Sequence, residues 1–274
     1  MSSFNREQSG NGPGHDEGHA DRHADTHWSA QAEGWAEHWA RLADPAREAV
    51  AAAVGIGPGT RLLDVGCGSG EFCALADGRG AAVSGIDAGG GMIRIAHRRL
   101  PLADLRVGEA ERLPWDANSF DVVTAFNSLQ FADDFLTALG EMRRAARPGG
   151  LVAVCNWGRR EDCELKPIFD ALDDGQPPAI QDSPPLGEPG ELERLARESG
   201  LEPVASADVD VPYETPDRDT LCRALLVDAG LHGIEEGADE AVRAAVERAA
   251  QFRRTDGSYR FENRFRYIVA AVGN

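Results

Sequence analysis

A run of alternating glycines is the first feature of this sequence with the composition of a ligand site. Gly66, Gly68 and Gly70 fall in the stretch RLLDVGCGSGEF (61–72), directly after an apolar segment. Glycine lacks the Cβ atom that would hold a ligand away from the main chain. A helix that begins at such a turn also offers free N–H groups. The stretch predicts a surface for a nucleotide-like ligand; a tight strand-to-helix turn without any ligand is the alternative.

Two carboxylates accompany the glycines and narrow the class of ligand. Asp64 lies two residues before Gly66, and Asp87 ends the next apolar segment, AAVSGID (81–87). A carboxylate at the end of a second strand can accept hydrogen bonds from both ribose hydroxyls. Dinucleotide-binding enzymes carry G-x-G-x-x-G at this place, whereas this chain has G-x-G-x-G preceded by an acid. The spacing therefore disfavours a nicotinamide-dependent oxidoreductase, although Asp87 alone would suit one.

The elements that must position these residues alternate along the chain. The predicted strands are 61–66, 81–87, 104–110, 120–126 and 151–157, and the predicted helices between them are 70–76, 91–100 and 133–146. Strands that are apolar on both faces and alternate with helices are typical of a parallel sheet covered on both sides. Ligands of such sheets bind at the carboxyl ends of the strands, which is where the glycine run lies.

The segment before the first strand divides into two parts. Residues 1–28 are polar and glycine-rich, which predicts a disordered tail. His15, His19, His23 and His27 are spaced by four residues and would share one face of a helix, where they could bind a transition metal; glycines and a proline weaken such a helix, so we predict no metal site. Residues 29–58 are predicted to form a helical cover, with a helical pattern from Trp28 to Val54.

The segment after the fifth strand breaks the alternation. Charges and prolines predict a cap loop at 158–187, and the pattern then returns to a core helix and strand at 188–214. Two further helical runs predict an insert over the substrate at 215–256, and 257–274 is predicted as the closing strand. Residues 59–157 form the predicted α/β core.

Composition limits the partners and the compartment. The formal net charge of -18 repels phosphate backbones and anionic lipid surfaces, which argues against nucleic acid and membrane partners. Five cysteines without a CxxC pair are typical of reduced thiols in a cytoplasmic protein. Neither a signal peptide nor an apolar run of membrane-spanning length is visible. A monomer and a homodimer both remain open.

The motifs together resemble a known enzyme family. LLDVGCGSGEF is similar to motif I of the class I S-adenosylmethionine (SAM)-dependent methyltransferases. The stretches VSGIDAGGGMIRIAHRRL, RVGEAERLPWDANSFDVV and FADDFLTALGEMRRAARPGGLVAV resemble the later motifs in the family's order, over about residues 60–157. The branch resembled is the small-molecule one, which includes the ubiquinone and menaquinone methyltransferases.

This resemblance implies a fold and a cofactor. The fold would be an α/β, seven-stranded Rossmann-like sheet, mostly parallel with an antiparallel last strand, with helices on both faces and a small cap or insert. SAM would be the methyl donor and S-adenosylhomocysteine the product. The residues that the resemblance assigns to the cofactor are Asp64, Gly66, Cys67, Gly68, Gly70, Asp87, Ala88, Met92, Glu109, Ala110, Phe126 and Asn127.

Within this set, each group has an implied place. Asp64 would face the methionine amino end of SAM, and Asp87 would hold the ribose. Ala88 and Met92 would pack on the adenine, while Glu109 and Ala110 would receive its edge. Phe126 and Asn127 would line the pocket near the sulfonium.

Departures from the family pattern bear on rigidity and catalysis. Gly89-Gly90-Gly91 replaces the usual Ser-Pro-acid helix start, which predicts a more mobile adenine wall. Gln130 stands where many relatives have a histidine, and glutamine takes no proton at neutral pH. We therefore expect catalysis mainly by alignment and desolvation, with His38, His232 and Gln130 as the remaining candidates for a catalytic group.

The substrate class follows partly by elimination. The stretch after the fourth predicted strand is FNSLQF, without the Asn/Asp-Pro-Pro-aromatic signature used on flipped bases or amides. The aromatic residues available to wall a substrate pocket are Trp35, Trp39, Phe131 and Trp157, each equally suited to the core. The interpretation is in-line SN2 methyl transfer to a small, partly apolar acceptor, such as a secondary metabolite or a quinone-like molecule. A SAM-binding module without catalysis and an NAD-dependent oxidoreductase are the alternatives.

Overall fold

A computed structural model describes residues 20–172, 185–228 and 238–273 of the chain. Its helices are α1 (Ala20–His38), α2 (Asp44–Ala53), α3 (Glu71–Gly78), α4 (Gly90–Arg99), α5 (Phe135–Ala145), α6 (Lys166–Leu172), α7 (Glu191–Glu198), α8 (Arg218–Asp228) and α9 (Ala238–Ala249). Its strands are β1 (Arg61–Val65), β2 (Ala82–Asp87), β3 (Asp104–Val107), β4 (Phe120–Phe126), β5 (Ala146–Trp157), β6 (Leu201–Asp210), β7 (Tyr213–Thr215), β8 (Tyr259–Phe261) and β9 (Arg264–Val272). Short 3-10 turns occur at Leu129–Phe131, Arg160–Asp162 and Ala250–Phe252.

Seven of the described strands form one sheet in the order β3-β2-β1-β4-β5-β9-β6. The pairs from β3 through β5 are parallel, and β9 runs antiparallel to both of its neighbours. The predicted fold class is therefore confirmed. Because β1 lies between β2 and β4, the carboxyl ends of these three strands meet at the middle of one edge, where the order along the chain reverses.

Apolar side chains on both faces of the strands hold the helices against the sheet. One face packs on α2, α3 and α4 through residues such as Val50, Phe72 and Ala96. The other packs on α5 and α7 through residues such as Met142 and Leu192. The continuous apolar runs of the central strands are explained by this burial on two sides.

The amino-terminal segment contains two helices and not one. The predicted helical pattern from Trp28 to Val54 is interrupted by a turn at 39–43, and Pro45 lies in the first turn of α2. Proline is suited to a first helical turn because it lacks an N–H. The helix α1 begins at Ala20, inside the segment predicted as a tail. His15 and His19 lie outside the described residues, and the side chains of His23 and His27 lie outside those described.

The carboxyl-terminal strand is also divided. The sequence YRFENRFRYIVAAV predicts one strand, but β8 pairs with β7 in a separate two-stranded sheet while β9 enters the main sheet. Asn263 lies at the break and is buried. Its Oδ1 accepts the N–H of Leu165 at 3.0 Å and its Nδ2 donates to the carbonyl of Phe261 at 3.2 Å. The buried amide therefore satisfies the carbonyl of the last residue of β8 and an N–H of the segment that precedes α6.

Helices α6, α8 and α9 and the small β7–β8 sheet surround a core of their own, called here the helical lobe. Its buried members include Ile168, Leu221, Val246 and Phe261. Helix α6 lies within the segment predicted as a cap loop. Among the described residues, no helix combines the length and the apolarity needed to cross a membrane.

Candidate functional site

The three glycines after β1 all adopt left-handed backbone conformations, but they make room for different things. The φ angles of Gly66, Gly68 and Gly70 are 70°, 55° and 85°, which L side chains rarely adopt. A Cβ on Gly66 would overlap Ser128, and one on Gly70 would lie 3.0 Å from the Cβ of Ala96. At these two positions protein atoms occupy the space that a side chain would take, so the missing Cβ permits packing within the protein. Gly68 alone of the three has an open face.

Asp87 ties the glycine loop to the start of α4. Its Oδ2 accepts the N–H of Gly68 at 2.8 Å, and its Oδ1 accepts the N–H of Gly89 at 2.8 Å. Loss of hydration raises the pKa of Asp87 to about 6, although the two amide hydrogen bonds act in the opposite direction. The carboxylate predicted to hold a ribose therefore lies beside the loop, where two main-chain N–H groups fix its orientation.

Asp64 is a buried carboxyl at the carboxyl end of β1. It is 3% exposed, and its Oδ1 accepts a hydrogen bond from Thr124 Oγ1 on β4 at 2.7 Å. Burial raises the pKa of Asp64 to about 7, against the hydrogen bond from Thr124 and the charge of Arg47, which lower it. A cationic group placed beside this carboxyl would stabilise its ionised form.

Arg47 is a site residue that sequence reasoning missed. Its side chain is 12% exposed and its Nη1 donates to Asp44 Oδ1 at 2.9 Å and to the carbonyl of Ala40. Its charge acts on both Asp64 and Cys155, so the guanidinium lies near the ends of β1 and β5. No partner for Nε or Nη2 occurs among the described residues. The available signal was an arginine on the same helical stripe as Val50, four residues from Ala43.

Asn127, directly after β4, carries an unsatisfied acceptor. Its φ of 48° is left-handed, and its N–H donates to the carbonyl of Cys155 at 2.8 Å. Its Oδ1 is buried and has no hydrogen-bond partner. Buried amide oxygens are normally satisfied, so a ligand with a donor group, such as the ammonium of SAM, fits this position. The neighbouring Phe126 ring faces α3, 4.6 Å from the ring of Phe72.

The remaining predicted cofactor residues lie on the β2 and β3 side of the loop. Met92 is buried with Ala32 and Ile95 between α1 and α4, and Ala88 lies in the turn between β2 and α4. Glu109 and Ala110 follow β3, next to Gly108, whose N–H donates to the carbonyl of Asp87 at 3.0 Å. Cys67 is buried against Gly85. A hydrogen bond with Cys73 and, after it, burial raise the pKa of its thiol, as in a packing residue rather than a nucleophile.

The three candidates for a catalytic group are placed differently. His38 ends α1 with a side chain that is 8% exposed, and its Nε2 lies 3.9 Å from Glu37 Oε1. Gln130 lies in the 3-10 turn after β4, between Leu129 and Phe131. His232 lies outside the described residues.

Of the four aromatic residues predicted to wall a substrate pocket, Trp39 is the most enclosed. It is 2% exposed, its ring stacks on Tyr213 at 4.7 Å, and its Nε1 donates to the carbonyl of Ala224 at 2.9 Å. Its contacts are those of a core residue of the helical lobe.

The other three aromatic residues keep part of their surface open. Phe131 is 47% exposed and meets the Trp28 ring edge-on at 5.2 Å. Trp35 is half-buried on α1. Trp157, at the end of β5, is half-buried between Phe169 and Phe265.

Comparison with known proteins identifies the region that holds the site. Residues 63–154 match the family model of a methyltransferase domain. They contain Asp64, the glycine loop, Asp87 and Asn127. The resemblance that the motifs indicated is confirmed by this match.

A curated methyltransferase is similar to this chain over part of its length. A demethylmenaquinone methyltransferase of Renibacterium salmoninarum is 38% identical over 111 residues, which are 40% of this chain and 47% of that protein. The chain therefore spans about half the length of the curated relatives it matches.

Solved structures share the fold over nearly the whole chain. A putative sarcosine dimethylglycine methyltransferase from Galdieria sulphuraria has a TM-score of 0.60 at 14% identity and covers 91% of this chain and 99% of its own. A geranyl diphosphate C-methyltransferase from Streptomyces coelicolor A3(2), solved with S-adenosylhomocysteine, has a TM-score of 0.56 at 16% identity and covers 95% and 100%. At these identities the likeness establishes the fold alone.

Proposed function

We propose that the chain transfers a methyl group from SAM to a small-molecule acceptor. The observation that carries the proposal is the meeting of Asp64, Gly68, Asp87 and Asn127 at the ends of β1, β2 and β4, inside the methyltransferase domain. These groups offer two carboxylates, an open glycine face and an unsatisfied amide oxygen. A cationic nucleoside with several hydrogen-bond donors satisfies all of them.

The described residues distribute over the two ends of SAM. Asp87 would accept hydrogen bonds from the ribose hydroxyls. Asp64 and Asn127 would receive the ammonium. It would give the Asp64 carboxylate a partner of opposite charge and the Asn127 Oδ1 a hydrogen-bond donor. The free donors of Arg47 suit the carboxylate of the same methionine end.

The protein's own contribution to the chemistry would be alignment. Bound SAM supplies an electrophilic methyl group, and in-line SN2 transfer forms the bond from the acceptor atom to carbon while the carbon–sulfur pair returns to sulfur. The chain holds the donor end at Asp64 and Asn127 and excludes water with α1 and the helical lobe. Gln130 in place of a histidine after β4 leaves the acceptor's proton to solvent, or to a residue elsewhere such as His38.

A partly apolar acceptor fits the surroundings of the site. Phe131 follows β4, Trp157 ends β5 and Trp35 lies on α1, and each keeps part of its aromatic surface exposed. Pockets for small molecules are mostly apolar with few polar groups. The curated relatives act on a demethylated menaquinone, as their name states. A quinone-like or other secondary-metabolite acceptor is therefore the substrate class proposed.

The test is methyl transfer itself. The full chain is incubated with methyl-labelled SAM and a set of phenolic, quinol and amine acceptors, and the products are analysed by mass spectrometry. Label on an acceptor, lost with Asp64→Asn, supports the proposal. Binding of SAM without transfer to any acceptor or to a cell extract would instead favour a SAM-binding module, and absence of SAM binding would end the assignment.

A further inference from the structure

The Gly89-Gly90-Gly91 run, which departs from the family pattern, lies directly under α1. A Cβ on Gly91 would overlap the carbonyl oxygen of Ser29 and lie 2.7 Å from its Cα, and one on Gly89 would lie 2.8 Å from the Cβ of Trp28. The backbone of α1 thus approaches the start of α4 more closely than any side chain allows. The glycines make a seat for α1, and the predicted mobile wall is instead a packed contact.

Two polar contacts fix α1 in this seat. The N–H of Gly91 donates to Ser29 Oγ at 2.8 Å, so Ser29 satisfies the first turn of α4 from another helix, where Gly89 offers no side chain. Farther along α4, Arg98 pairs with Glu33 of α1 at 2.6 Å. Met92 and Ala32 are buried between the two helices. These contacts, all within the five residues that follow Trp28 on α1, set the position of Trp28 relative to Asp87.

The Trp28 side chain reaches from the residues that follow β2 to those that follow β4. At one end its Cβ lies against Gly89, two residues after Asp87, and at the other its ring meets Phe131 at 5.2 Å, edge-on. Gly89 follows β2 and Phe131 follows β4, and β1 lies between those strands. A side chain that reaches from one to the other must pass over the end of β1, where the loop begins.

We propose that Trp28 is a cofactor-binding residue whose indole covers the nucleoside part of SAM, and that Gly89–Gly91 are positioning residues that hold it there. The inference rests on the proposed function, since it takes SAM as the occupant of the loop. The ring would offer a broad apolar face to the ribose and adenine, while Asp87 would bind the ribose hydroxyls from the side of the sheet. α1 must lift from its seat to admit the nucleoside and return to it afterwards.

The test is calorimetric titration of the full chain with S-adenosylhomocysteine. Trp28→Ala is expected to weaken binding by about 10- to 100-fold, as the loss of a large aromatic contact does, and Trp28→Phe to restore most of it. With an active acceptor, Trp28→Ala should raise the KM for SAM and leave kcat nearly unchanged. A purely structural role would not distinguish alanine from phenylalanine in KM alone.

The seat is tested by a pair of glycine variants. Gly91→Ala places a methyl group against Ser29 and is expected to weaken binding by about tenfold through displacement of α1. Gly140→Ala is the matched control, because Gly140 lies in α5 with no atom near the added Cβ, and it should bind as the wild type does. Equal binding by Gly91→Ala and Gly140→Ala would overturn the seat.

The outcomes separate this proposal from the proposed function. Tight binding by the wild type with equally tight binding by Trp28→Ala overturns the role of Trp28 and leaves the methyltransferase assignment intact. Failure of the wild type to bind S-adenosylhomocysteine overturns both, because the occupant named here is then wrong.

Discussion

Two carboxyl groups at the centre of the site are held in conditions that oppose their charge. Burial raises the pKa of Asp64 to about 7 and loss of hydration raises that of Asp87 to about 6. Glu71, in the first turn of α3, adds to both shifts because it is a third negative charge nearby. Ionised carboxylates in such surroundings destabilise the ligand-free protein, and a cationic ligand would stabilise them.

Asp64→Asn is expected to stabilise the ligand-free protein at pH 8. The folded pKa lies above the unfolded value of 3.8, so the folded state binds more protons and the free energy of unfolding falls as the pH rises from about 4 to above 7. The variant loses this penalty and should gain on the order of 2–4 kcal/mol at pH 8 and much less at pH 5. Urea unfolding at the two pH values measures it.

Asp104→Asn provides a control of opposite sign. Arg106 and Trp115 hydrogen-bond to Asp104, and chiefly the former lowers the pKa of that carboxyl. Its ionised form is favoured by folding, so the variant should be destabilised at pH 8. A pH-independent effect of Asp64→Asn would show that the carboxyl is ionised throughout.

Arg47 is expected to act only on the amino-acid end of the ligand. Arg47→Gln should weaken binding of S-adenosylhomocysteine about 10-fold, the loss of a charge-assisted pair. It should leave binding of 5′-methylthioadenosine unchanged, because that nucleoside lacks the carboxylate. Calorimetric titration with the two ligands measures the difference, and equal losses for both would contradict the assigned role.

The residues that sequence reasoning found and missed differ in how far their partners lie along the chain. Asp64, Gly68 and Asp87 belong to local motifs, and their places at the ends of β1 and β2 could be predicted. Thr124 acts on Asp64 through a hydrogen bond and Arg47 acts on it through its charge, both from other elements. Each is a polar residue within an apolar sequence pattern, which is a weak signal. The pattern does not indicate which residue the polar side chain acts on in the folded protein.

At the level of elements, the glycine loop serves packing within the protein in addition to its proposed role as a ligand surface. Gly66→Ala is expected to destabilise the protein by about 2–4 kcal/mol, because the new Cβ overlaps Ser128 and the φ of 70° disfavours alanine. Ser128→Gly in the same chain should recover part of that loss. Thermal unfolding of both variants and of the double variant tests this, and full additivity would show that the two residues are not in contact.

Gly68→Ala forms the contrast within the same loop. Its Cβ would meet no atom closer than Glu71 Oε2 at 3.9 Å, so only the cost of the left-handed backbone remains, about 1 kcal/mol. Ligand binding should suffer more than stability.

The elements could be predicted where buried, apolar strands alternate with helices along the chain. Strands β1, β2 and β4 were predicted within about one residue of their observed bounds, whereas β3 ends earlier and β5 begins earlier than predicted. The division of the closing strand at Glu262 and Asn263 was not predicted. The alternation of apolar and polar residues continues through the break because each half of the strand is buried in a different sheet. The end of α1 at His38 was missed since both helices share one apolar stripe, and only Pro45 marked the boundary.

In the molecule as a whole, α1 connects the large sheet and its helices with the helical lobe. Its first half packs on α4 at Gly89 and Gly91. Its second half packs on α8, where a Cβ on Gly34 would lie 2.5 Å from Val227 Cγ2 and Trp39 reaches the carbonyl of Ala224. Movement of α1 must therefore disturb both partners.

Hydrogen exchange tests this arrangement over the full chain. S-adenosylhomocysteine should slow amide exchange at 66–70, 87–91 and 127–131 and along α1, because those amides lie at the proposed site or in its cover. The turn at 57–60 before β1 and the first residues of β5 at 147–150, at the opposite end of the sheet, serve as an internal control and should not change. Protection confined to the control segments would place the ligand at the wrong edge of the sheet.

The central claim is that the glycine loop and Asp87 bind SAM, and calorimetric titration with S-adenosylhomocysteine tests it most directly. The wild type should bind in the micromolar range. Asp87→Ala should lose binding, and Asp77→Ala, which removes an exposed carboxylate at the far end of α3, should keep it. No binding by the wild type, or undiminished binding by Asp87→Ala, would contradict the account.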